Sequence, residues 1–247
     1  SSDLDGNSAV VDRTKPLDVA KILTQFGGDA NWMSDMALSP DGKHILSASG
    51  SKIKDLKLRD VIGGHAVKTF TGHKDYVTAI AISGDGKYAL SGAQDGEMIL
   101  WNIKSGTKVK STQVSKGFIS SIAISSNGQY ALVGSKDGTI KLFDVQNSKL
   151  VKSAKGHSKD VLSVAISESG KYGLSGGKDN TAILWDIQNF KKLKTFSGHK
   201  GWIYSVAFSK SERYVVTGSA DKTLKLWNAN NAKTLRTFSG HSSYVSS

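Results

Sequence analysis

The chain has 247 residues, of which 38% are hydrophobic and 22% are charged, and this composition supplies a sizeable core and excludes a mostly disordered protein. No apolar run approaches the roughly 18 residues of a membrane-spanning helix, and the absence of cysteine excludes disulfides, thiolate metal sites and a cysteine nucleophile. The formal net charge of +12 favours acidic partners or polyanions over basic ones.

The start of the chain is aligned with the interior of a repeat. It reads Ser1-Ser2-Asp3, without a methionine or a charged-then-apolar leader, so the sequence leaves the localisation open. Residues 5–12 align with residues 137–144, which lie in the second half of a repeated unit. We therefore expect residues 1–26 to form the third and fourth strands of a partial unit.

A period of 42 residues runs through the rest of the chain. Gly-His pairs give His73, His157, His199 and His241, with one pair missing at Ser115. The same period relates Asp95, Asp137, Asp179 and Asp221, and also Trp101, Phe143, Trp185 and Trp227. These markers divide the chain into full repeats at 27–71, 72–113, 114–155, 156–197 and 198–239, with the start of a further repeat at 240–247.

Each repeat has the pattern of four short strands separated by turns. In the second repeat, apolar segments at 77–83, 88–92, 98–102 and 109–112 are separated by turns rich in Ser, Asp and Gly. Twenty-six glycines against two prolines suit many tight turns between short strands. The pattern predicts an all-β chain with four strands in each repeat.

The period, the Gly-His pair that opens the unit and the Trp-Asp or Trp-Asn pair that closes its third strand resemble the WD-repeat family. The resemblance covers essentially the whole chain. It implies an all-β β-propeller of four-stranded antiparallel blades, with five complete blades and a split or truncated blade formed by the two ends. Residues 1–247 then form a single propeller domain, because one sheet cannot bury both of its faces alone. The blade number stays open, since the ends could join as a sixth blade or belong to a longer ring.

The resemblance also implies a hydrogen-bonded tetrad in each blade, made of a His, a Ser or Thr of the second strand, the turn Asp and the Trp of the third strand. Three repeats contain all four residue types. Their tetrads are His73, Ser91, Asp95 and Trp101; His157, Ser175, Asp179 and Trp185; and His199, Thr217, Asp221 and Trp227. The repeat that begins near Ser115 keeps only Asp137, so we expect a less rigid blade there.

The recurrence of His, Ser and Asp raises the question of a catalytic triad. A nucleophile and its base are needed once, in one cleft, whereas these residues return in repeat after repeat at positions suited to tying a loop to a strand. We interpret them as structural and predict no enzymatic activity, no cofactor and no metal site. His44 and His65 are out of register without ligand-like spacing, and no phosphate-binding loop or nucleophile elbow is present.

Aromatic residues recur just before the first strand, on the side of the disc where alternating strands place the His and Asp loops. They are Trp32, Tyr76, Phe118, Trp202 and Tyr244. Lysines accompany them at Lys74, Lys116, Lys136, Lys159, Lys178 and Lys200. One interpretation is a surface that docks a protein or an acidic peptide, because aromatics anchor a partner and lysines attract acidic segments. The alternative is that each aromatic packs against its own neighbouring loop.

Basic residues also recur on the predicted fourth strands, which form the outer edge of each blade. Examples are Lys108, Lys110, Lys149, Lys152, Lys192 and Lys194. Charged edges block strand addition by other chains, which explains much of the net charge without a ligand. Our first functional hypothesis is therefore a non-catalytic scaffold that binds partner proteins, or other domains of the same protein, on the propeller face and rim. The alternative is binding of nucleic acid or another polyanion. We predict no membrane association, and the resemblance favours a cytoplasmic location.

One position in the first strands departs from the repeat. Asp35 aligns with Ala79, Ser121, Ser163 and Ser205, where the other repeats have small residues. If the first strands line a central channel, one carboxylate points into it, and we interpret Asp35 as a solvated channel residue.

Overall fold

A computed structural model of the chain describes residues 8–11, 22–26, 33–49 and 54–246. All regular secondary structure in these ranges is β-strand. None of these residues forms a helix long and apolar enough to cross a bilayer.

Five four-stranded antiparallel sheets follow one another along the chain, and in each the spatial order of the strands is their order in the sequence. We call them blades 1 to 5. Blade 1 contains β3 (Met33–Leu38), β4 (His44–Ser49), β5 (Leu56–Asp60) and β6 (Ala66–Phe70). Blade 2 contains β7 (Val77–Ile82), β8 (Tyr88–Ala93), β9 (Glu97–Asn102) and β10 (Thr107–Gln113). Blade 3 contains β11 (Ile119–Ile124), β12 (Tyr130–Ser135), β13 (Thr139–Asp144) and β14 (Lys149–Lys155). Blade 4 contains β15 (Val161–Ile166), β16 (Tyr172–Gly177), β17 (Thr181–Asp186) and β18 (Lys191–Ser197). Blade 5 contains β19 (Ile203–Phe208), β20 (Tyr214–Ser219), β21 (Leu224–Asn228) and β22 (Thr234–Phe238).

Ahead of the blades, β1 (Ser8–Val11) and β2 (Ile22–Phe26) pair as a two-stranded antiparallel sheet. At the other end, the Val245 N–H donates to the Ser219 carbonyl at 3.0 Å, and the Val245 side chain is buried against blade 5. The predicted all-β architecture of five four-stranded antiparallel blades is confirmed. No sheet unites the two ends within the described ranges, so the joined sixth blade stays a prediction.

The turn after the first strand of each blade ends in a left-handed residue. Gly42, Gly86, Gly128 and Gly170 hold this position with φ between 69° and 72°. Blade 5 has Glu212 there, at φ 57°, a conformation that is unfavourable for a residue with a side chain. Its carboxylate accepts hydrogen bonds from the N–H and the hydroxyl of Ser169 in blade 4, which offsets that cost.

The hydrophobic core lies between the blades. One buried cluster combines Leu90 and Leu100 of blade 2 with Ile119 and Val133 of blade 3, and the same arrangement recurs at the other junctions. Close approach of the sheets depends on Gly92, because a Cβ built there would lie 2.6 Å from Ile119 Cγ2. Each of the four junctions therefore buries one face of each of its two blades, as a radial stack of sheets requires.

Hydroxyl groups add polar bonds to these junctions. Each first strand carries a β-bulge, and the bulged residue in blades 1, 2 and 3 is Ser34, Thr78 or Ser120. Their hydroxyls donate to the carbonyls of Val77, Ile119 and Val161 in the following blade, at 2.6, 2.5 and 2.5 Å. The first strands are thus bound to one another around a shared inner wall.

Candidate docking face

The tetrads of blades 4 and 5 are assembled around their histidines. In blade 4, His157 Nδ1 lies 3.0 Å from the Asp179 carboxylate, and His157 Nε2 lies 2.8 Å from Ser175 Oγ. A carboxylate only accepts hydrogen bonds, so Nδ1 carries the proton and the Ser175 hydroxyl donates to Nε2. Trp185 Nε1 donates to the same hydroxyl at 2.9 Å. The structure therefore brings these four side chains into one hydrogen-bonded network.

Blade 5 has the same hydrogen-bonded network, with a threonine in place of the serine. His199 lies 2.8 Å from Asp221 and 2.7 Å from Thr217, and Trp227 Nε1 donates to Thr217 at 2.9 Å. Burial lowers the pKa of His199, as it does that of His157, and so favours the neutral ring. Burial alone raises the pKa of Asp221, but hydrogen bonds from Thr223, the Lys200 N–H and His199 lower it overall.

In blade 2 the structure places Glu97, rather than the predicted Asp95, beside the histidine. His73 Nε2 lies 2.5 Å from Ser91 and Trp101 donates to Ser91 at 2.7 Å, so three of the predicted residues come together. Asp95 accepts the Glu97 N–H at 3.0 Å, as Asp179 and Asp221 accept the N–H two positions on, but unlike them it makes no hydrogen bond to its histidine. Glu97 Oε2 lies 3.8 Å from His73 Nδ1, and both atoms are buried without a hydrogen-bond partner.

The reason for this difference is the residue two positions after the turn aspartate. In blades 3, 4 and 5 it is Thr139, Thr181 or Thr223, and each threonine hydroxyl donates to the aspartate of its own turn. Glu97 has no hydroxyl to hold Asp95, and its own carboxylate occupies the space next to His73. Two carboxylates on one imidazole also repel each other, so Asp95 is excluded from the tetrad.

Blade 3 replaces its tetrad with a lysine. Val133 stands where the other blades have a hydroxyl, and the buried Lys141 donates to Thr139 at 2.5 Å. Asp137 lies 3.8 Å from Lys141 Nζ, with 52% of its side chain exposed against 14% for Asp179. The aspartate that survives in this blade is therefore close to the surface.

The predicted aromatic residues of the loop face differ in exposure. Tyr76 and Phe118 are half-buried, and Lys136 Nζ lies 3.5 Å from the centre of the Phe118 ring. Trp202 is 42% exposed and Tyr244 is 61% exposed. Trp32 lies outside the described residues. Phe118 thus fits the interpretation as a packing residue, whereas Trp202 and Tyr244 present free ring surface.

Tyr204 joins these two exposed residues into one group, which we call the aromatic cluster. Its ring centre lies 6.2 Å from that of Trp202 and 5.5 Å from that of Tyr244. Sequence reasoning missed Tyr204, although it occupies the bulge position that is Ser34, Thr78 or Ser120 in other blades. An aromatic at a position that carries a hydroxyl in blades 1, 2 and 3 and a leucine in blade 4 was the available signal.

The lysines of this face fall into two groups. Lys178 is already paired, since its Nζ lies 2.7 Å from Asp160 and 4.8 Å from the centre of the Trp202 ring. It therefore links blade 4 to blade 5 beside the aromatic cluster. The other group has exposed side chains and consists of Lys74, Lys116, Lys136, Lys159 and Lys200.

On the rim, the outer strands β6, β10, β14, β18 and β22 each contain lysine or arginine and contain no acidic residue. Some of these lysines connect blades. Lys110 Nζ donates to the Asn147 carbonyl and Lys152 Nζ to the Asn189 carbonyl, each at 3.1 Å. Rim basicity therefore contributes to the joints between blades as well as protecting edges.

Within the described part of the chain, no group of three or more His, Asp or Glu side chains is arranged to hold a metal ion.

Comparison with known proteins agrees with this architecture. The family described as "WD domain, G-beta repeat" matches residues 20–54, 64–102, 106–144, 148–186 and 190–228. From the second onward, each match spans the outer strand of one blade and the first three strands of the next.

Similar curated proteins match over single stretches. The intraflagellar transport protein 122 homolog of Homo sapiens is 36% identical over 83 residues, which are 34% of this chain and 6% of that protein. The small ribosomal subunit protein RACK1y of Oryza sativa subsp. japonica is 32% identical over 76 residues, 31% of this chain and 23% of that protein. The small ribosomal subunit protein RACK1 of Caenorhabditis elegans is 34% identical over 92 residues, 34% of this chain and 28% of that protein. Each match covers less than a third of the relative's length. Because the family matches cover more than half of this chain, the chain belongs to the WD40 repeat family.

Proposed function

We propose that this protein is a non-catalytic platform that binds an acidic segment of a partner protein on the loop face of blades 4 and 5. Members of the WD40 repeat family generally act as protein-interaction platforms rather than enzymes. The relatives are named for intraflagellar transport and for the small ribosomal subunit. These facts support a binding role, and the surface itself supports its location and chemistry.

The observation that carries the proposal is the exposure of Trp202 and Tyr244. Large aromatic rings that stay exposed while contacting a common neighbour, Tyr204, form an apolar patch on a soluble surface. Such rings provide most of the binding energy at protein interfaces when a partner covers them.

Charge supports an acidic partner. The exposed Lys159 and Lys200 come from the loops that flank Trp202, and the chain as a whole has a net charge of +12. Lys178 is held by Asp160, so it contributes less to attraction than the two unpaired lysines. Positive charge around an aromatic anchor speeds the approach of an acidic segment and discriminates against basic ones.

The proposal is tested with short fluorescein-labelled peptides that contain several Asp or Glu residues around one central Trp, Phe or Leu. A second set has Lys in place of the acidic residues. We expect the acidic set to bind and Trp202→Ala combined with Tyr244→Ala to weaken binding at least about tenfold, measured by fluorescence anisotropy.

Tyr214→Ala is the matched control. Tyr214 is an exposed aromatic of blade 5, but it lies at the first residue of β20, whereas Trp202 lies beside the other end of that strand. This control is expected to bind as the wild type does. Equal binding of acidic and basic peptides, or full binding by a well-folded double variant, would refute the proposal.

Binding of a polyanion along the rim is the second candidate, favoured by the outer strands that contain basic residues and no acidic ones. It predicts binding to duplex DNA of arbitrary sequence. The logarithm of the association constant should fall linearly and steeply with the logarithm of the salt concentration. Substitution of Lys149, Lys192 and Lys194 by Glu reverses their charge and is expected to abolish that binding. Absence of DNA binding at low salt would exclude this candidate.

A further inference from the structure

The first strands of the five blades all contribute residues to the lining of a cavity of about 550 Å³. This volume is within the range of small-molecule sites in proteins. Among the described residues that line it, Asp35 is the single charged side chain. The cavity is separate from the exposed rings of the docking face, although Tyr204 contributes to both.

Asp35 makes a contact between blades that does not need a charge. Its Oδ2 accepts the Ile80 N–H of blade 2 at 2.7 Å, and its Oδ1 accepts the Met36 N–H at 2.8 Å. At the equivalent place in blade 3, the neutral Ser121 hydroxyl accepts the Val164 N–H of blade 4 at 3.1 Å. A serine thus serves the same joint, and the carboxylate is not required by the fold.

The ionised form of the Asp35 carboxyl is also disfavoured in the folded protein. Burial raises the pKa of Asp35 to about 6, against the lowering effect of its two backbone hydrogen bonds. No cationic side chain is found among the described residues that line the cavity. A half-buried carboxylate without a cationic partner opposes folding, and residues that oppose folding are concentrated at functional sites.

The hydroxyls around Asp35 offer acceptors. Ser34, Thr78 and Ser120 all line the cavity, and each has its single hydroxyl proton committed to a backbone carbonyl of the next blade. A hydroxyl whose proton is used in this way presents only lone pairs to a ligand. The wall formed by blades 1, 2 and 3 therefore combines one carboxylate with three hydrogen-bond acceptors.

The wall formed by blades 4 and 5 is different. At the same bulge position these blades have Leu162 and Tyr204, and both line the cavity. Met33 and Met36 also line the first side, and Ser163 and Ser205 also line the second. The negative charge is nevertheless confined to the first side, and the bulge positions carry an aliphatic and an aromatic side chain only on the second. A ligand that fits both sides has a donor-rich cation at the end of a hydrocarbon chain.

We propose that this cavity binds a primary alkylammonium group, with its nitrogen at Asp35 and its alkyl chain against Leu162 and Tyr204. An ammonium has three N–H donors and no acceptor, which matches a wall of acceptors. Its charge compensates the carboxylate, and charge-assisted hydrogen bonds are stronger than neutral ones. The group belongs either to a free small amine or to a lysine side chain of another polypeptide. This inference does not depend on the docking face.

The test is calorimetric titration of the full chain with n-butylammonium chloride at about pH 7.5, with n-butanol as the neutral analogue. Sodium chloride is kept at about 150 mM, where the screening length of about 8 Å weakens repulsion by the surface lysines. We expect saturable binding of butylammonium and no saturable binding of butanol. Asp35→Asn is expected to weaken binding at least about tenfold. Glu168→Gln, which removes an exposed carboxylate outside the cavity, is expected to leave it unchanged.

Asp35→Ser provides a second variant, because blades 3, 4 and 5 fold with serine at this position. Heat no greater than that of sodium chloride dilution, or equal binding by either folded Asp35 variant, overturns the proposal. The peptide acetyl-Gly-Lys-Gly-amide distinguishes the sources. Binding of both the peptide and butylammonium supports capture of a lysine side chain, and binding of butylammonium alone supports a free amine.

Discussion

The Glu97 carboxylate lies 3.8 Å from the ring of His73, yet neither His73 Nδ1 nor Glu97 Oε2 has a hydrogen-bond partner. Burial lowers the pKa of His73, so the ring is neutral and the two groups do not form an ion pair at neutral pH. Blade 2 therefore contains two unsatisfied buried polar atoms at the place where blades 4 and 5 have a complete tetrad. Each such atom costs about 1–3 kcal/mol.

Glu97→Thr is expected to repair this defect. The new hydroxyl can hold Asp95 as Thr181 holds Asp179 in blade 4, which allows Asp95 to accept a hydrogen bond from the His73 Nδ1–H. We expect a gain of about 1–2 kcal/mol, which corresponds to a rise of roughly 2–8 °C in the melting temperature of a chain of this size. Differential scanning calorimetry measures it.

The matched control is Glu168→Thr, which makes the same chemical change at an exposed turn. The melting temperature of this control is expected to stay within about 1 °C of that of the wild type, because surface substitutions usually have small effects. A melting temperature of Glu97→Thr at or below that of the wild type would show that Asp95 cannot reach His73.

The turn aspartates of blades 3 and 4 differ in importance. Asp179→Ala leaves the His157 ring N–H and the Ser158 N–H without their acceptor, whereas Asp137 is half exposed beside Lys141. We expect Asp179→Ala to lower the unfolding free energy by about 1–3 kcal/mol and Asp137→Ala by less than about 1 kcal/mol. Urea denaturation monitored by tryptophan fluorescence compares them. Equal losses would contradict the tetrad assignment.

The sequence predicted the fold well because a repeat provides many copies of the same evidence. The 42-residue period places Trp185, Ser175 and His157 correctly, since each occupies a position whose role is set by strand register. Glu97 and Tyr204 could not be predicted in this way. Each departs from its repeat, and the effect of a departure depends on which side chain fills the space, as the displacement of Asp95 shows.

The sequence pattern also could not predict how much of each aromatic side chain is exposed. Phe118 and Trp202 occupy the same register position, but Lys136 covers the first ring, and 42% of the Trp202 side chain stays exposed. The covering lysine belongs to another turn of the same blade, so its contact depends on tertiary packing rather than on spacing. The proposed docking face is therefore narrower than the ring of aromatics that the sequence suggests.

Close packing between blades predicts a strong effect of a single methyl group. A Cβ at Gly176 would lie 2.7 Å from Ile203 Cγ2 and 2.8 Å from Val206 Cγ1, in the buried junction of blades 4 and 5. We expect Gly176→Ala to destabilise the protein by about 1–3 kcal/mol through overpacking. Gly117→Ala is the control, because a Cβ there has no heavy atom within 4 Å. Thermal melts that shift equally for the two variants would disprove this packing account.

The carboxylate of Asp35 predicts a pH-dependent penalty on folding. Its pKa is about 6 in the folded protein and 3.8 without the fold, so the folded state binds the proton more tightly. The penalty is then fully present above pH 6, decreases as the pH falls, and vanishes below about pH 4. Asp35→Asn removes the charge but can accept only one of the two backbone N–H groups, so its stability relative to the wild type is expected to be roughly 1–3 kcal/mol more favourable at about pH 7.5 than at about pH 4.

The same variant separates this charge effect from a packing effect. The stability of Asp35→Asn relative to the wild type should fall steadily between about pH 7 and pH 4, because the wild-type carboxyl becomes protonated over that range. Asp179 and His157 work in the opposite direction, since their lowered pKa values make the wild type lose stability in acid. They are present in both proteins, so their contribution cancels in the difference. Urea denaturation of the two proteins across this pH range measures it, and a difference that is constant with pH would show that folding does not raise the pKa of Asp35.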